Sequence, residues 1–71
     1  GVALTWRGAG AASFAVYRVD GDAARLVGTA RGTGWVDRTA PADRPLSYCV
    51  SGLDRSGNEG RLSAPVSVDV R

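Results

Sequence analysis

The sequence predicts an all-β sandwich built from about six short strands. Three observations predict it. Apolar residues alternate with polar or small ones in runs of strand length, with a period of two. These runs recur at spacings of about 8 to 14 residues, as in two-sheet β domains. Glycine, proline and aspartate cluster between the runs, and no segment carries the 3.6-residue period of a helix.

Val2, Leu4 and Trp6 alternate with Ala3 and Thr5, so the first strand places three large side chains on one face. RGAGAAS, residues 7 to 13, reads as a loop. In the second strand Phe14, Val16 and Arg18 share one face and Ala15, Tyr17 and Val19 the other, which marks it as central. Asp20, Gly21 and Asp22 supply turn chemistry, and the β-rich run RLVGTAR, Arg25 to Arg31, completes a hairpin. Gly32 and Gly34 interrupt that run before a short strand, Trp35-Val36-Asp37. RTAPADRP holds two prolines that cannot donate to a ladder and reads as a crossover loop. Leu46, Tyr48, Val50 and Gly52 alternate with Ser47, Cys49, Ser51 and Leu53 in the next strand. Leu62 to Val70 is expected as one closing strand, with Val66, Val68 and Val70 on one face and Pro65 at its start or at a bulge.

Composition removes several function classes. With 71 residues the chain makes one domain, and a domain this small buries only about 60% of the surface of its unfolded chain. There is no histidine and one cysteine, Cys49. Neither a Ser-His-Asp nor a Cys-His catalytic group, a mixed Cys and His metal site, nor an internal disulfide can be built from such a set. Cys49 reads as an inert strand residue. No apolar stretch is long enough for a membrane helix. GVALTWRG at the start lacks the features of a signal peptide, so any secretion signal is expected upstream. All nine basic residues are arginine. They are spread one per element, without the clustering of a nucleic-acid footprint. Together with abundant alanine and glycine they suggest a GC-rich genome.

The residues together resemble a fibronectin type III domain, specifically the bacterial type appended to secreted enzymes. LTW, Leu4 to Trp6, resembles the family's B strand with its core tryptophan. FAVYRVDG, Phe14 to Gly21, resembles the C strand and its hairpin, and WVDRTAPADRPLSYCVSGLDRSGNEGRLSAP resembles the E-F-G run. The resemblance covers Val2 to Val70 and implies an immunoglobulin-like sandwich with strands B, C, C', E, F and G. Two departures stand out. The family's A strand is missing, so either the domain is cut from a longer polypeptide or it lacks that strand, and a bare B edge would follow. The family's tyrosine corner falls at Leu46, so its hydrogen bond is expected to be missing unless Tyr48 supplies a substitute.

Several residues are candidates for chemistry. Asp54, Ser56 and Asn58 match the first alternate ligands of a calcium loop, but the tight-turn glycine position holds Glu59 and the bidentate carboxylate position holds Pro65. Asx-type turns with Gly57 or Gly60 at positive φ are the reading kept, and no metal or other cofactor is expected. The carboxylates Asp37, Asp43, Asp54 and Glu59 could pair as a glycosidase acid and base only across a sugar cleft, for which a domain this size has little room. Trp6 belongs to the core, Trp35 is expected to fold inward over the sandwich end, and Tyr17 to lie on the outer face. A lone exposed ring would bind sugar weakly.

These readings imply a non-catalytic accessory module of a larger secreted bacterial protein. Its expected role is spacing, solubilising or docking against an upstream catalytic domain, with a glycoside hydrolase or hydrolase-like protein as the parent that the resemblance suggests. Two alternatives differ in kind. One is a carbohydrate-binding module that contacts polysaccharide through Trp35, Tyr17 and the loop residues Asp54, Arg55, Asn58 and Glu59. The other is a protein-interaction domain that pairs through the bare B edge. No contact with nucleic acid or membrane is expected.

Overall fold

A computed structural model of the protein describes residues 1–8, 10–41, 46–62 and 66–70. Among them the chain forms seven strands: β1 (Val2–Thr5), β2 (Ser13–Asp20), β3 (Ala23–Ala30), β4 (Gly34–Asp37), β5 (Ser47–Leu53), β6 (Glu59–Leu62) and β7 (Ser67–Val70). A three-stranded sheet runs β4-β1-β7 and a four-stranded sheet runs β3-β2-β5-β6, with every neighbour antiparallel. The two sheets share one core. Val2 and Leu4 from the first, with Trp6 just beyond β1, meet Phe14, Val16, Tyr48 and Val50 from the second. Trp6 and Phe14 cross edge to face, with ring centroids 5.5 Å apart and planes at 69°, the arrangement that aligns a ring's positive edge with its neighbour's negative face.

Alternation set these faces. Leu4, Val16 and Val50 are fully buried because each sits on the inward period of its strand. β2 lies between β3 and β5, as its two apolar faces predict. Its hairpin to β3 turns at Gly21 and Asp22, with Gly21 at φ 63° and Asp20 paired to Ala23. Positive φ at the first central residue alone is the pattern of a type II′ turn, whose twist suits a hairpin. The ladder then slips once: Val16 pairs Gly28 and Tyr17 pairs Leu26, leaving Val27 as the extra residue of a bulge.

Two expectations are corrected. The stretch from Leu62 to Val70 is not one strand. β6 begins earlier, at Glu59, and pairs with β5, whereas β7 pairs with β1 in the opposite sheet, Val2 with Val70 and Thr5 with Ser67. Val66, Val68 and Val70 keep a strand period throughout, so alternation alone gives no sign of the change of sheet. The bare edge on the first strand does not exist either. β1 is central in its sheet, and β7 satisfies the row of backbone groups that would otherwise stay unpaired. The expectations for Asp43 and Pro65 fall outside the described residues.

Candidate functional site

Polar chemistry concentrates in three places, and their geometry separates scaffold from site. The first is inside the sandwich. Arg18 occupies an inward position of β2 and needs a carboxylate there, because a buried cation without one is costly. Asp37, the last residue of β4 and fully buried, answers it with Oδ2 3.0 Å from the guanidinium. Tyr48 donates its hydroxyl to the same oxygen at 2.7 Å, and Thr39 donates its backbone N–H at 3.0 Å and its hydroxyl at 2.8 Å to Oδ1. Burial works to raise the Asp37 pKa, but the bonds from Tyr48, Thr39 and Arg18 outweigh it and hold the carboxyl below its ordinary value. Burial, then the adjacent carboxylate, pushes Tyr48 up to about 12. The Tyr48 hydroxyl is thus spent on a side-chain carboxylate of the other sheet. Asp37 is closed to a substrate.

The second place is the β5–β6 turn. Asp54 Oδ1 accepts the backbone N–H groups of Ser56 at 2.8 Å and Asn58 at 2.9 Å, and Oδ2 accepts the Asn58 side-chain amide at 3.0 Å. Backbone bonds from Asp54 N to Asn58 O and from Gly57 N to Asp54 O close the loop, and Gly57 takes φ 84°. The N–H groups that point at Asp54 would face a cation with the wrong end of their dipoles. They also depress its pKa, those of Asn58 foremost. No group of three or more potential metal-ligating side chains occurs among the described residues. Arg55 stands exposed at the tip of this turn.

The third place is the outer face of the four-stranded sheet, and it is the candidate site. Register puts Leu26, Tyr17 and Cys49 in one row across β3, β2 and β5. Leu26 is 55% exposed. From β6 the Glu59 carboxylate reaches back over this row. Its Oε2 accepts the Tyr17 hydroxyl at 2.5 Å and also the hydroxyl of the buried Ser51. Both bonds end on one oxygen, so Oε1 has no hydrogen-bond partner among the described residues. The bonds from Ser51 and Tyr17 lower the Glu59 pKa, and the bond to Glu59 raises that of Tyr17. A ring is thereby pinned beside an ionised acceptor. Next to it a shallow open groove of about 380 Å³ runs between Gly10 and Ala11 on one side and Gly52 to Asp54 and Asn58 to Gly60 on the other.

The structure thus brings Tyr17 and Glu59 together, with Asn58 and Asp54 at the groove beside them, and leaves Trp35 elsewhere. Trp35 pairs with Leu4 on the inward face, half-buried, and its ring lies on Gly28: a Cβ there would stand 2.3 Å from Trp35 Cζ2. Ser51 was missed as a site residue. Its signal was its place on the outer period of β5, opposite Ala15 and one row from Tyr17. Cys49, in the same row as Tyr17, is partly buried, and burial raises its thiol pKa.

The chain is similar to Endoglucanase B of Cellulomonas fimi, at 33% identity over 72 residues. The match covers 94% of this chain and 7% of that protein. The similarity is therefore to a small segment of a much longer polypeptide. No family model matches the chain. No solved structure matches it.

Proposed function

We propose that the chain is a fibronectin type III-like, non-catalytic accessory module of a larger secreted bacterial enzyme that acts on polysaccharide. The observation that carries this reading is the similarity of nearly the whole chain to about 7% of an endoglucanase. A segment that makes up so small a share of a long polypeptide suits a supporting domain. The geometry adds its own support. Asp37 is sealed in the core and Asp54 is consumed by its turn, so of the carboxylates in the described residues considered for a glycosidase pair only Glu59 offers a free oxygen. Among those described, one accessible carboxylate cannot be both acid and base across a glycosidic bond. The partner in this reading is the catalytic domain of the same polypeptide, and the place of action is outside the cell.

The test is the intact mass of the native polypeptide that yields tryptic peptides of this sequence, measured separately in culture supernatant and in cells. A supernatant species far above 7.3 kDa is the expected result. A species near 7.3 kDa retained in the cells would overturn the reading.

A further inference from the structure

We infer that the outer face around Tyr17 and Glu59 is a binding site for a neutral glucan chain, with the Tyr17 ring as stacking surface and Glu59 Oε1 as hydroxyl acceptor. The inference deepens the accessory-module reading and rests on it for the choice of polysaccharide. Three observations carry it. The Tyr17 ring is tethered at its hydroxyl to Glu59, so it is held in place before a ligand arrives, and a pre-ordered ring loses little rotamer freedom on stacking. The Glu59 carboxylate is tied through Oε2 to both Tyr17 and Ser51, which leaves Oε1 as a fixed, charged acceptor at the ring's edge. Leu26 extends the row on the other side of Tyr17 as an exposed aliphatic surface.

A sugar ring has a flat apolar face of C–H groups and a rim of hydroxyl donors. That combination meets a pinned aromatic ring with one adjacent acceptor, because a hydroxyl needs only a single oxygen and hydrogen bonds to charged acceptors are the stronger kind. A guanidinium partner suits the site less well. Its two parallel N–H groups call for both oxygens of a carboxylate, and Oε2 already accepts two bonds. Glu59 also lines the groove beside the strand ends, so the acceptor and the groove share one residue.

The test uses the 71-residue chain. It is run by native affinity electrophoresis in gels containing hydroxyethylcellulose, a soluble neutral β-glucan, and in parallel gels containing dextran sulfate. The wild type is expected to be retarded by the neutral glucan. Tyr17→Ala abolishes the retardation, and Tyr17→Phe, which keeps the ring and loses the tether, weakens it. A ¹⁵N-resolved titration with cellohexaose locates the contact independently of the variants, with the largest amide shifts expected at Tyr17, Leu26, Ser51 and Glu59. Equal migration of wild type and Tyr17→Ala in the neutral glucan overturns the inference. So does retardation by dextran sulfate alone, which would mark an arginine surface, or shifts centred on Trp35. An unretarded wild type from a polypeptide whose supernatant mass is far above 7.3 kDa removes the glucan site and leaves the accessory-module reading standing.

Discussion

The Tyr48 hydroxyl and the Asp37 carboxylate meet at 2.7 Å in the buried interior, joining β5 of one sheet to the end of β4 in the other. Because Arg18 shares the same oxygen, the contact joins two inward side chains of the four-stranded sheet to one carboxylate of the three-stranded sheet. Tyr48→Phe removes the donor and leaves Asp37 short of one bond. A loss of about 1.5–3 kcal/mol is expected for a hydrogen bond to a charged group, read as a lowered midpoint in urea. The ultraviolet titration of the wild type should show one tyrosine still protonated when the other has ionised, and Tyr48→Phe should delete that late step near pH 12.

Asp37→Ala strands Arg18 without its carboxylate and should cost about 3–5 kcal/mol, a large share of what a domain of this size possesses. The pH dependence follows from the sign of the shift. Asp37 is held below its ordinary value in the folded state, so it binds a proton less readily there than in the unfolded chain. Its contribution is present above the unfolded carboxyl value near 3.8 and is lost as pH falls through the lower folded value. Thermal melts of the wild type should therefore drop steeply below about pH 4, and Asp37→Asn should flatten that dependence.

Gly28→Ala places a methyl group against the Trp35 ring, 2.3 Å from Cζ2. The ring has to move, and overpacking of this kind costs about 1–3 kcal/mol. Displacement exposes Trp35, so its emission shifts to longer wavelength, while Trp6 in the core keeps its own. Measured in a Trp6→Phe background, the shift is attributable to Trp35 alone; unchanged emission would show that the ring has room to give.

The turn from Asp54 to Asn58 depends on Gly57 at φ 84°. Gly57→Ala forces a side chain into the left-handed region at a cost of about 1–2 kcal/mol, and a lower melting temperature is expected. Millimolar calcium should leave the melting temperature of the wild type unchanged, because the Asp54 oxygens already face N–H donors.

How much of this was legible in the sequence depends on whether the information was local. The period of Val2, Leu4 and Trp6, the turn at Gly21 and the Asx-type loop at Asp54 each reside in a few consecutive residues, and all three read directly. The cluster at Asp37 joins positions 18, 37, 39 and 48, whose meeting is decided by how two sheets stack. Its one local sign was an arginine on the inward period of β2, which calls for a carboxylate without naming it. Pairing of β6 with β5 was hidden for another reason: Glu59 and Gly60 are weak strand formers, and tertiary pairing rather than propensity makes them β. The Tyr17–Glu59–Ser51 site depends on that pairing, so it could not be assembled until the strand was known.

The register of β7 on β1 has a mechanical consequence. Val2 lies beside Val70, and the two strands run in opposite directions from that point. A load applied through Gly1 and Val70 would fall on the pair at that end first, then on the next, opening the ladder like a zip instead of shearing all its bonds together. Segments joined to the chain before Val2 and after Val70 would therefore meet it at one pole, and a pull between them would peel this pair of strands apart. The loops at residues 7–8, 31–33 and 54–58 lie at the opposite pole, clear of any such pull.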